Sequence, residues 1–248
     1  MMVFAYNHGR VELLIARLIG QYSEKRRHQT RTMDAIHTDA SSIAEAPSHE
    51  PVSLSDPGNV LMLALQSGDR TALRKLMSLY NDRLYTFTVR IVRHSETAED
   101  IVQETWLSLY ESRDRYQTTY RFSTWLFTIA RRKALSELRR RKVRSIVRSL
   151  TGQRDGEEET TLEVPQETFR QPDAEASGAL LSEIIERALA RLTPAQREVI
   201  VLRDIEGMEN EEVAEILGWD LKPGAIRKRV FDAREAFRKE MIALGVRE

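Results

Sequence analysis

The chain has 248 residues, 38 Lys and Arg balanced by 38 Asp and Glu for a formal net charge of zero, and no cysteine. At roughly 100–200 residues per domain this is one or two domains, and the missing thiols exclude disulfide staples, Cys-ligated zinc and Cys nucleophiles, which fits a reducing cytoplasm. Charged residues at 31% and aromatics at 7% point to a charge-laced helical protein, and no run of about 18 apolar residues is there to span a membrane.

Residues 1–55 read as a disordered extension. It holds one short amphipathic helix (Val11, Leu14, Ile15, Leu18, Ile19), the basic run Lys25-Arg26-Arg27 and a Ser/Ala/Pro/His-rich stretch without periodicity. Glu12 and Arg17 interrupt the apolar stretch and no small-residue cleavage site follows, which argues against a secretory signal. Met33 and Met62 are alternative translation starts. Met33 is the better one, because starting at Met62 removes the first turn of the next helix.

Residues 56–145 form a first helical domain. Leu61, Leu65, Leu73, Leu76, Leu79, Leu84 and Val89 recur at helical spacing, with Ser67-Gly68-Asp69 as a stop and restart. A helix capped by Ser95 carries Ile101, Val102, Thr105, Trp106, Leu109 and Tyr110 to about Ser112. After a loop from Tyr116 to Tyr120, another helix runs from about Ser123 to near Arg144.

Residues 146–178 are an acidic linker. Over residues 151–177, Asp155, Glu157, Glu158, Glu159, Glu163, Glu167, Asp173 and Glu175 face only Arg154 and Arg170, with Pro165 and Pro172 as breakers, so the segment should be flexible and self-repelling. Residues 179–248 form a second helical domain. Leu181, Ile184, Ile185, Ala188 and Leu192 make one helix, and Thr193-Pro194-Ala195-Gln196 signals the N-terminus of the next, running to Gly207.

Two short helices then flank the turn at Gly218. On the second, from about Gly224, Ile226, Val230, Ala233, Phe237 and Met241 make an apolar stripe, with Arg227, Lys228, Arg234, Arg238 and Lys239 mostly opposite. This is the build of a helix-turn-helix recognition helix, although by spacing alone a cationic face is equally a solvated one. A second basic cluster (Arg131, Arg132, Lys133, Arg139, Arg140, Arg141, Lys142, Arg144, Arg148) holds the single acid Glu137 and follows Tyr116, Tyr120, Phe122, Ser123 and Trp125. Cations beside π surfaces suit single-stranded DNA, while core packing is the plainer role for Trp125 and loop anchoring for Phe122.

Leu61–Arg141 and Leu180–Lys239 resemble regions two and four of bacterial RNA polymerase sigma factors of the extracytoplasmic-function (ECF) type. The resemblance rests on Ala98-Glu99-Asp100-Ile101-Val102-Gln103-Glu104, on Phe122-Ser123-Thr124-Trp125-Leu126 with Ile129-Ala130-Arg131, and on Leu192-Thr193-Pro194 through Arg197-Glu198-Val199 to Leu202-Arg203-Asp204-Ile205-Glu206-Gly207.

It implies an all-α, two-domain promoter-specificity subunit without catalysis, metal or cofactor, acting in the cytoplasm. Its partners would be core RNA polymerase and promoter DNA, duplex and melted, with an anti-sigma factor as a further partner the family allows. Glu99, Asp100, Gln103 and Glu104 would dock on the polymerase. Tyr120, Arg121, Phe122, Ser123, Trp125, Arg131, Arg132, Lys133, Arg139 and Arg140 would engage the melted minus-ten element. Lys222, Ala225, Arg227, Lys228, Arg229 and Arg234 would read the minus-thirty-five duplex. Three features depart from the family pattern: a longer turn over Trp219-Asp220-Leu221-Lys222-Pro223, Arg132 where Asn is usual, and Glu209 where Ser or Thr would cap, so that Asn210 is expected to cap instead.

A stand-alone dimeric helix-turn-helix regulator is the alternative, and it leaves the first-domain cluster unexplained. A helical interaction module with merely soluble basic faces would show no salt-dependent DNA binding. No enzyme constellation is visible: His8, His28, His37, His49 and His94 lack metal-ligand spacing, and there is no P-loop, nucleotide-binding Gly fingerprint or nucleophile elbow.

Overall fold

A computed structural model describes residues 56–119, 121–151 and 176–246, and the regular elements among them are all helical. The expected helix over 11–19, the Lys25–Arg27 run, Tyr120 and the linker acids lie outside these residues.

Helix α1 (Pro57–Gln66) starts on Asp56, whose carboxylate accepts from the Gly58 N–H, with Pro57 in the first turn. The break at Ser67-Gly68-Asp69 is where the sequence places it: Asp69 caps α2 (Arg70–Val92) by accepting from the Thr71 N–H at 2.9 Å. Helix α3 (Ser95–Glu111) is capped by His94 rather than Ser95. Ser95 already lies inside the helix, and His94 Nδ1 accepts from the Thr97 N–H at 3.3 Å.

Helix α4 (Phe122–Thr151) has its first free N–H groups met from a distance. The Phe122 N–H donates to Asn59 Oδ1 at 2.8 Å, and Tyr116 donates its hydroxyl to the same oxygen at 2.5 Å. Gly58 is what permits the approach, because a Cβ there would stand 2.8 Å from Phe122 Cβ and 2.6 Å from the Tyr80 hydroxyl. Leu76, Leu84 and Phe87 of α2, Ile101, Trp106 and Leu109 of α3, and Leu126, Phe127 and Ala130 of α4 make the core of this first bundle.

Helix α4 continues past Arg144, where the periodicity suggests an end. Its last turns need no core: Val143, Ile146 and Val147 are exposed, and Glu137 holds Arg140, Arg141 and Arg144 along the helix surface.

In the second bundle α5 covers Ala176–Arg191, and α6 (Pro194–Ile200) opens with the Thr193/Gln196 capping box. The single helix expected to reach Gly207 is interrupted by a π-turn over Val201–Ile205, where the Glu206 N–H reaches the Val201 carbonyl at 2.8 Å. Arg197 is buried and donates to the carbonyls of Leu189, Ala190 and Leu192 at and just beyond the end of α5, where helix carbonyls lack partners within the helix. Burial lowers its pKa from the usual arginine value.

Helix α7 (Asn210–Leu217) takes Glu209 as its cap residue rather than Asn210, and the Glu212 carboxylate accepts from the Glu209 N–H at 2.9 Å. Asn210 is drawn away by Arg203, whose Nε donates to its side-chain oxygen. Gly218 ends α7 at φ 67°, a left-handed conformation that costs glycine no Cβ clash, and α8 (Pro223–Ala243) follows.

Candidate nucleic-acid and polymerase interface

Helix α8 separates its two sides cleanly. Ile226, Val230, Ala233, Phe237 and Met241 are buried, while Lys222, Ala225, Arg227, Lys228 and Arg229 are exposed at its N-terminal end. Lys228 pairs with Asp232 one turn on, an exposed contact worth little. Arg229 lies over the Trp219 ring at 4.9 Å, so the long turn supplies an aromatic platform for one cation of α8. Arg234 stands apart from this group. It is turned inward onto Asp204, which is 1% exposed at the side chain, through contacts of 2.5, 3.0 and 3.1 Å. Its placement ties α8 to the π-turn rather than presenting a cation to DNA.

The first bundle divides its surface by charge. Glu99, Asp100, Gln103 and Glu104 are all exposed on α3. Leu107, one turn beyond Gln103 and 58% exposed, extends that face with an apolar centre. Charge and amide patterning could not single Leu107 out; its 3.6-residue spacing from Gln103 and Glu104 is the available signal. Lys133 reaches Glu104 at 3.2 Å, tying the acidic face of α3 to the basic face of α4.

Of the expected single-strand contacts, Arg121, Arg132, Arg139 and Arg140 are exposed, Ser123 and Trp125 half-buried. Trp125 packs on Tyr116 at 5.0 Å between ring centroids. Phe122 is 0% exposed, between Tyr80 and Tyr116. It holds the start of α4 against the core, as the loop-anchor reading allows, and has no face to offer a base. Burial pushes the Tyr116 phenol far above its ordinary pKa, with the Asp56 charge adding to the shift, so it remains a donor to Asn59. Arg131 is half-buried, its Nε on Glu198 at 2.8 Å and its Nη1 donating to the Ile216 carbonyl at 3.4 Å, both in the second bundle. Thr124, adjacent on α4, donates to Glu212 at 3.0 Å.

The family model for Sigma-70 region 2 matches residues 76–144, and that for Sigma-70 region 4 matches residues 182–237. The RNA polymerase sigma factor CarQ of Myxococcus xanthus is 32% identical over 178 residues, spanning 72% of this chain and 94% of CarQ. This chain belongs to the ECF-type RNA polymerase sigma factors. The ECF sigma factor SigW of Bacillus subtilis is 29% identical over 179 residues, covering 71% of this chain and 92% of its own. Two solved structures share the fold with a TM-score of 0.52. CnrH, in complex with the cytosolic domain of CnrY, is 23% identical and covers 76% of this chain and 99% of its own. RpoE from Bartonella quintana, in complex with the anti-sigma factor NepR, is 24% identical and covers 70% and 98%.

The sigma factor therefore carries regions two and four in order, and it directs promoter-dependent transcription initiation. A stand-alone regulator would leave the region-two match without a purpose. Sigma factors are not catalytic enzymes, and among the described residues no helix is long and apolar enough to cross a membrane.

Proposed function

We propose that the three surfaces divide the work of initiation. The exposed face of α3, Glu99, Asp100, Gln103 and Glu104 with Leu107 at its centre, docks on core polymerase. Its carboxylates suit a basic partner, and the apolar residue supplies burial that charges alone do not. The start and outer face of α4, through Arg121, Ser123, Trp125, Arg131, Arg132, Lys133, Arg139 and Arg140, engages the melted minus-ten strand, with Tyr120 adjoining. The start of α8, through Lys222, Ala225, Arg227, Lys228 and Arg229, reads the minus-thirty-five duplex in the major groove.

The observation that carries this reading is the segregation on α8, where the apolar stripe is buried and the cations of its first turns are exposed. Residues 1–55 are taken as an extension and the acidic stretch as the tether between regions; a cytoplasmic site of action and the absence of catalysis follow from this role. An anti-sigma partner rests on likeness to RpoE, which was solved with the anti-sigma factor NepR.

The test is initiation from purified parts. Added to sigma-free core polymerase and promoter DNA, the full chain should give specific transcripts. DNA binding without core association would overturn the reading. Asp100→Arg with Gln103→Ala should reduce co-purification with core while leaving the helical content intact.

A further inference from the structure

We infer that Trp219 is a specificity-determining residue for the upstream element: it holds the Arg229 guanidinium in one orientation, as a hydrogen-bonding fork for a guanine in the major groove. This rests on the assignment of α8 to the minus-thirty-five duplex and adds which of its cations reads a base and what aims it.

The cations at the start of α8 have unlike surroundings. Lys228 is paired with Asp232 at 3.1 Å, and both are exposed. Arg229 is exposed too, but among the described residues it meets the Trp219 ring, 4.9 Å from guanidinium carbon to ring centroid, and no carboxylate. Helical spacing explains the meeting. Arg229 follows buried Ile226 by three residues and immediately precedes buried Val230, so it flanks the apolar stripe, whereas Lys228 stands opposite it. Side chains on a helix lean toward its N-terminus, so the guanidinium reaches back over the first turns of α8. That end is the one a helix-turn-helix places against base edges.

The ring is itself held. Gly218 turns the chain at φ 67°, the Trp219 N–H donates to the Ala214 carbonyl at 2.8 Å, and the indole is half-buried against the hydrophobic core. Pro223 fixes the start of α8 at the other end of the turn.

Stacking and hydrogen bonding use different parts of a guanidinium. The ring attracts one face of the cation and leaves the N–H donors in its plane open to a ligand. An arginine side chain loses much rotamer freedom when it makes a bidentate contact, and a conformation set before DNA arrives lowers that cost. A phosphate accepts a cation from many directions and carries no sequence information. The O6 and N7 acceptors of guanine require a fork in one plane. Orientation is therefore what turns the attraction of Arg229 for DNA into the reading of a base.

The probe is a pool of random-sequence duplexes, selected by holoenzyme reconstituted from core polymerase and the full chain, so that the parent defines its own upstream element. Variants are scored against that element base pair by base pair. Arg229→Ala and Arg229→Lys should each lower the preference for guanine at one position by about tenfold, since lysine keeps the charge without the fork. Trp219→Leu should lower the preference at that same position by about two- to fivefold, the cation–π contribution at an exposed site, and leave the other positions unchanged. Trp219→Phe should retain most of it. In the Arg229→Ala background Trp219→Leu should cost nothing further, which a merely structural ring would not produce. Arg229→Lys leaves the turn intact and tests the fork by itself.

A Trp219→Leu loss spread evenly over all positions, or additive with Arg229→Ala, would make the ring a packing residue and overturn the inference. So would an Arg229→Lys chain that keeps the guanine preference of the parent. Loss of the upstream element in Arg227→Ala with none in Arg229→Ala would strike the inference and leave α8 as the reader. If Arg227→Ala, Lys228→Ala and Arg229→Ala all leave the selected element unchanged, α8 is not the reader, and the proposed division of work falls with the inference.

Discussion

The two arginines Arg227 and Arg234 share a helix and a charge, yet the structure gives them opposite tasks. Arg227 is exposed at the start of α8, while Arg234 is spent on the buried carboxylate of Asp204. Removing one member of a buried pair strands the other without solvent, so Arg234→Ala should destabilise region four by about 3 kcal/mol. Arg227→Ala should leave the thermal midpoint unchanged and weaken binding to the minus-thirty-five duplex. Thermal unfolding followed by circular dichroism, paired with duplex titration, separates the two; equal melting of both variants would return Arg234 to the DNA face. A helical wheel places both cations on the polar side because it records the sign of a charge and not its partner. Asp204 is 30 positions away in sequence and inside a π-turn, so nothing local announces the pair. Phe122 illustrates the same limit: an aromatic behind a tyrosine-rich loop looks like a stacking platform, and only the packing of α1 across it, permitted by Gly58, shows it to be core.

Most helices were legible from periodicity and punctuation, and their boundaries fail where the punctuation is missing. Asp69 and the Thr193/Gln196 box lie where the sequence signals them, since capping chemistry is local. The π-turn was illegible because Val199-Ile200-Val201-Leu202 is continuously apolar and fits any helical period. The extension of α4 to Thr151 was illegible because its apolar residues there are exposed and mark no core. Two predictions belong to this scale. Gly218 holds φ 67° between α7 and α8, so Gly218→Ala should cost region four about 1–2 kcal/mol in a denaturant titration. An unchanged midpoint would mean the turn had found another conformation. The Asp69 carboxyl is held below its usual 3.8 by its hydrogen bonds to Thr71, from the side chain first and the backbone second. A carboxyl with a lowered folded pKa stabilises the fold above its unfolded pKa and loses that contribution as pH falls through the folded value. The melting difference between the parent and Asp69→Ala should therefore be full near neutrality and shrink below pH about 4.

At the scale of the whole chain, the net charge of zero is an average over surfaces that oppose one another. The family and both bundles were legible because their motifs are local; the joint between bundles was not, because Arg83, Arg90 and Arg131 find Glu206, Glu186 and Glu198 across 123, 96 and 67 positions. Charge neutrality at that joint bears on how DNA binding responds to salt. A strand bound by a chain whose joint is open releases its counterions, and affinity falls with salt in proportion to the phosphates neutralised, with a logarithmic slope of about −0.7 per phosphate for a single strand. A chain whose joint is closed must first break its internal pairs, and salt weakens the attraction holding those pairs as well as the attraction to DNA. The two effects oppose each other in the observed affinity, because salt raises the open population while it weakens binding to it. The parent should therefore show a shallower salt slope for the minus-ten oligonucleotide than Glu186→Gln with Glu206→Gln, and the two affinities should converge as salt rises. The duplex minus-thirty-five site, which we propose is read by α8 cations outside these pairs, should show the same slope in both chains. Parallel slopes for the single strand would mean that the acidic face of region four does not compete for the strand.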